Sequence, residues 1–82
     1  MIIKQTLVDK IEITRTGSIQ IRIALELVED GNVLNTRLHR TAIEPGGDVD
    51  AQMAAVNEHL AQMGEVPVSV QDIDRIKKYR SV

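Results

Sequence analysis

The sequence predicts an α+β domain. A three-stranded antiparallel meander over about 7–14, 19–28 and 33–43 packs on a long helix over about 48–63, with a short C-terminal helix over about 70–79. Three observations carry this. Ile19, Ile21, Ile23, Leu25 and Leu27 alternate with Gln20, Arg22, Ala24 and Glu26, the period of two that marks a half-buried strand. Asp30-Gly31 follows, a pair that closes two-residue hairpins. Val49, Met53, Val56, Leu60 and Met63 then recur every three or four residues, one stripe of a helix.

The first strand is read over about 7–14, where Ile11 and Ile13 alternate with Lys10 and Glu12, and Arg15-Thr16-Gly17-Ser18 is its turn. Keeping Ile11 and Ile13 on the apolar face requires an odd-length loop or a bulge near Gly17. Strand order is left open, because the N-terminal segment could add an extra or swapped strand. The Asp30-Gly31 turn sets the next register: Val28 faces Val33, Leu27 faces Leu34, Leu25 faces Thr36, Ile23 faces Leu38 and Ile21 faces Arg40. Leu34 and Leu38 thereby join the apolar face. Arg22, Glu26, Asn35, Arg37, His39 and Thr41 form the polar one. Arg40 falls at the rim of the apolar face, snorkelling outward.

Pro45-Gly46-Gly47 ends the third strand and Asp48 is placed to cap the helix that follows. Asp50 suits its first turn, and Gly64 suits a left-handed C′ position. In the last helix Ser69 and Asp72 approximate a capping box, and Val68 and Ile73 are spaced as a staple. Val70, Ile73 and Ile76 make its inner stripe, while Arg75, Lys77, Lys78 and Arg80 gather at its C-terminal end.

Length fits one domain, residues 1–82, and the 43% apolar content is enough for one modest core. Cysteine, Phe and Trp are absent, so the core must be aliphatic and disulfides and Cys-based metal sites are excluded. A net charge of −2 gives no general pull toward nucleic acid. No signal peptide or membrane-length apolar run is read in the chain, so no membrane association is expected. His39 and His59 are assigned to different layers, on opposite sides of the sheet, and no metal-binding spacing joins them. No serine has the context of an activated nucleophile, and no cofactor motif is found. The chain is therefore read as non-enzymatic, without cofactor or metal. A sheet reading single-stranded nucleic acid needs aromatics, and Tyr79 is the sole aromatic.

Several motifs together resemble small proteins of tailed bacteriophages and prophages: Ile-Gln-Ile-Arg at 19–22, Glu-Asp-Gly at 29–31, His39-Arg40-Thr41, and Pro45-Gly46-Gly47-Asp48-Val49. The resemblance spans about residues 7–50. It implies a minor virion component or tail-assembly accessory, found in the cytoplasm of a host bacterium or on the virion. Its partner would be a phage structural protein or a host protein. Arg22, Arg37, His39 and Arg40 are the expected interaction residues, with a sheet edge as a second route. A second copy of the chain is the other partner expected, since so small an aliphatic core gains from association. The alternative is a small regulator binding nucleic acid or a host protein through Arg75, Lys77, Lys78 and Arg80.

Overall fold

In the computed structural model the described residues are 1–80, without the side chain of Arg80; Ser81 and Val82 lie outside them. Three strands, β1 (Ile2–Ile13), β2 (Ile19–Glu29) and β3 (Asn32–Ile43), precede two helices, α1 (Val49–Gln62) and α2 (Val70–Arg80). The strands form one antiparallel sheet in the order β1-β2-β3. The α+β meander is thus as expected.

β1 begins earlier than expected, at Ile2 rather than about residue 7. β2 is long enough to pair residues 2–6 with 25–29, so the N-terminal segment lengthens β1 and adds no further strand. Ile13 pairs with Ile19 across the loop 14–18, which is the odd-length solution. Gly17 in this loop has φ 91°, a left-handed conformation that glycine adopts without a Cβ clash. The second hairpin forms as predicted: Glu29 pairs with Asn32, and Asp30 and Gly31 have φ 51° and 82°.

Two bulges reorganise the faces. Asp9 is an extra residue in β1, between the pairs Val8–Ile23 and Lys10–Arg22. Leu34 is an extra residue in β3, between Val28–Val33 and Leu27–Asn35. Beyond Leu34 the expected register is therefore displaced by one residue. Leu25 pairs with Arg37, Ile23 with His39, Ile21 with Thr41, and Arg22 with Arg40. Magnitudes explain why the bulge wins. A regular ladder would set Arg40 against Ile21, which is fully buried. Burying an unpaired guanidinium costs several kcal/mol. Leaving Leu34 and Leu38 half exposed forfeits only part of the roughly 1.5–3 kcal/mol available to each. The shift also turns Ile43 inward, where it is buried.

Both helices cover the same face of the sheet, α1 over β3 and α2 over β1. The core joins Val8, Ile19, Ile21, Ile23, Leu25 and Ile43 to Val49, Met53, Val56, Leu60, Val68 and Ile76. Leu34 and Leu38, assigned to this core from the sequence, lie outside it. Ile13 is half exposed at the sheet's end, and Met63 is exposed as the C-cap of α1. Val70 is 74% exposed. At about 100° per residue it lies about 120° round α2 from Ile76, so the inward stripe is Asp72, Ile73 and Ile76.

Both caps of α1 are as expected. Asp48 accepts from the N–H groups of Asp50 at 2.9 Å and Ala51 at 3.3 Å. Gly64, at φ 77°, closes α1 with Glu65 N–H donating to the Leu60 carbonyl at 2.8 Å. Asp48→Ala should cost about 1 kcal/mol, read as a lower urea midpoint at unchanged slope.

The radius of gyration is 13.3 Å. A compact chain of this length would have about 12 Å. The excess reflects the β2–β3 hairpin, whose tip projects beyond the helices and leaves residues 30–38 exposed.

Candidate functional site

Four side chains were singled out on the sheet: Arg22, Arg37, His39 and Arg40. The bulge at Leu34 divides them two and two. Arg22 and Arg40 are cross-strand neighbours on the face without helices. Arg37 and His39 turn to the helix side, which corrects their assignment to the polar face, and Arg40 is corrected away from the apolar rim. Arg37 pairs with Glu65, in the segment between the helices. The His39 ring packs against His59 of α1 with centroids 5.7 Å apart. The histidines therefore share one side of the sheet, against expectation. Among the described residues no further His, Asp or Glu completes a metal-sized cluster with them.

The segment 64–69 crosses the covered face toward β1 and is held from below. The ammonium of Lys4 donates to the Gly64 carbonyl at 3.0 Å, and the Thr6 hydroxyl donates to the Val66 carbonyl. Asn57 accepts from the Val68 N–H at 2.8 Å. A cleft of about 390 Å³ lies here, lined by Lys4, Leu27, Asn35, Arg37 and Glu65 among others. Of its charged groups, Lys4 is held by the Gly64 carbonyl, Arg37 by Glu65 and Glu26 by Gln5.

α2 meets the edge of β1 at Val8. The Val8 N–H donates to the Asp72 carboxylate at 3.0 Å, while Asp72 also binds Arg75 at 2.8 Å and its own N–H donates to Ser69 at 3.2 Å. Asp72 thus does not complete a capping box; it is spent on the sheet edge. The basic set on α2 is drawn into pairs: Arg75 with Asp72, and Lys77 with Asp50 at 2.8 Å. The bond to Asp50 pushes the Lys77 ammonium up from its usual pKa. Lys78 is exposed, and the Arg80 side chain lies outside the described residues.

The open face remains. Its side chains form rows across the three strands: Ile3–Val28–Val33, Gln5–Glu26–Thr36, Leu7–Ala24–Leu38, Lys10–Arg22–Arg40 and Glu12–Gln20–Ala42. Leu7 is 42% exposed and Leu38 50%, yet Ala24 between them is buried by its neighbours. Gln5 donates to Glu26 at 2.7 Å. Arg22 donates to Asp9 at 3.0 Å; this bond, with the carboxylate's charge, pushes the guanidinium pKa up. A shallow depression of about 340 Å³ beside Arg40 is lined by Gln20, Thr41 and Ala42. This face thus carries two rows with apolar side chains, separated by Gln5–Glu26–Thr36, and a basic row beside the second.

Sequence reasoning missed Leu7 and Leu38, the apolar centre of this face. A signal existed for Leu7: Val8 and Ile11 are three apart, which a regular strand places on opposite faces, so one bulge between them was implied. For Leu38 no such spacing exists.

No helix among the described residues is long and apolar enough to cross a membrane. Comparison of the chain with protein-family models, with curated proteins and with solved structures returns no match.

Proposed function

We propose that this chain is a non-enzymatic interaction protein of phage or prophage origin, a minor virion component or tail-assembly accessory. It acts by docking the open face of its sheet against protein. The observation that carries the reading is the set of exposed apolar side chains Ile3, Leu7, Val33 and Leu38, flanking buried Val28 and Ala24 on a face that both helices leave uncovered. Exposed apolar patches of this kind on small domains mark interaction surfaces. The phage assignment rests on the motif resemblance at 19–22, 29–31, 39–41 and 45–49. The engagement of Arg75 and Lys77 with carboxylates favours protein docking over nucleic-acid binding through α2.

The test is affinity capture from induced lysate of a lysogenic bacterium, comparing wild type with Leu38→Lys. Wild type should retain tail or baseplate proteins, and the variant should lose them while keeping its far-UV spectrum. Equal retention by both proteins would refute docking through this face. Retention of nucleic acid instead, lost on Lys77→Glu and Lys78→Glu substitution, would shift the assignment to α2.

A further inference from the structure

We infer that the occupant of the open sheet face is a second copy of this chain, packed face to face about a two-fold axis that runs across the strands through the Leu7–Ala24–Leu38 row. This rests on reading the open face as a docking surface and names what docks there.

Area comes first. Three strands about 4.8 Å apart and eleven residues rising about 3.3 Å each give about 500 Å² of face per copy. A pair therefore removes about 1,000 Å² from water, the size at which specific interfaces begin. The apolar residues are contributed by all three strands, which suits contact through the face. The edges suit it less. Asp72 occupies the β1 edge at Val8, and β3 carries the Leu34 bulge with Arg37 and Arg40, the devices that blunt strand addition.

Charge then selects the axis. A two-fold along the strands would lay each row on itself, setting Arg22 against Arg22 and Lys10 against Arg40. That stacks like charges and is rejected. A two-fold across the strands, through Ala24, reverses the order of rows in the second copy. The Lys10–Arg22–Arg40 row then meets the Gln5–Glu26–Thr36 row, and Arg22 faces Glu26 twice, once on each side of the axis. Leu7 meets Leu7 and Leu38 meets Leu38, while the Ile3–Val28–Val33 row meets Glu12–Gln20–Ala42, apolar only at Val33–Ala42. Ala24 on the axis is small and sunk between the leucines, so the two sheets can approach to about 10 Å. Sheet twist would set the strands of the two copies about 30° from alignment.

Sedimentation equilibrium of the full chain across micromolar concentrations tests this. Wild type should be a dimer. Leu38→Lys and Arg22→Glu should each raise the dissociation constant about thirtyfold or more. The double exchange Arg22→Glu with Glu26→Arg should restore association, because the facing charges are again opposite. The chain lacks cysteine, so Leu38→Cys supplies a unique thiol. With a short bis-maleimide it should give a covalent dimer, and Glu58→Cys on exposed α1 should not. A monomeric wild type overturns the inference, and so does a dimer that survives both Leu38→Lys and Arg22→Glu. A second copy and a phage protein exclude one another on this face, so capture of phage proteins should fall as wild type is raised into its dimer range; the docking reading itself fails only if wild type and Leu38→Lys retain the same proteins.

Discussion

Ile23→Ala is expected to destabilise the domain by about 3–4 kcal/mol, the largest effect of any substitution considered. Ile23 is fully buried on the central strand, between Val8 of β1 and His39 of β3, in one cluster with Met53, Leu60 and Ile76. Three carbons leave the core, worth about 0.8 kcal/mol each by transfer alone. A cavity term adds to this, because the sheet holds its neighbours in place. A chain of this length has a total stability of about 4–12 kcal/mol, so a large share would go. Urea unfolding should show a much lower midpoint at unchanged slope, and Ile23→Val should lose only about 1 kcal/mol. A loss under about 1 kcal/mol for the alanine variant would mean that the helices settle to fill the space.

Asp72→Ala should rank second, at about 2–3 kcal/mol. The carboxylate accepts the backbone N–H of buried Val8 and binds Arg75. Without it that part-buried N–H on the sheet edge is left unpaired, at a cost of about 1–3 kcal/mol. The exposed pair with Arg75 adds little. Asp72→Asn keeps an acceptor oxygen and should recover most of the loss. Hydrogen exchange gives the local readout: the Val8 amide should exchange faster in Asp72→Ala and close to wild type in Asp72→Asn. Unchanged protection of Val8 in the alanine variant would show that water or another group replaces the carboxylate.

Much of the fold was legible because several signals were local. Alternation along β2, the Asp30-Gly31 turn, the Asp48 cap and the α1 stripe each depend on a few consecutive residues. The faces of β1 and β3 were not legible in the same way. Whether a strand carries an extra residue depends on what its partner and the covering helices must bury. Leu34 is bulged because Arg40 must stay out and Ile43 must go in, and both lie several residues further along. The site suffered more than the fold for this reason. One extra residue leaves the strand a strand, but it exchanges the faces of everything beyond it. Arg37 and His39 went to the helices, and Leu38 came to the open face.

The element order has a consequence for the chain's biogenesis. All three strands are synthesised before either helix. Each strand pairs only with its neighbour in sequence, so the meander can zip up from two local hairpins as it emerges. At about 5–20 residues per second, residues 44–82 take about two to eight seconds more to make. Throughout that interval the nascent sheet shows aliphatic surface on both sides. The helices then choose the side where Ile19, Ile21, Ile23 and Leu25 run unbroken. The choice of face is made late, by a C-terminal segment, and until then the newborn protein is at its most prone to aggregation.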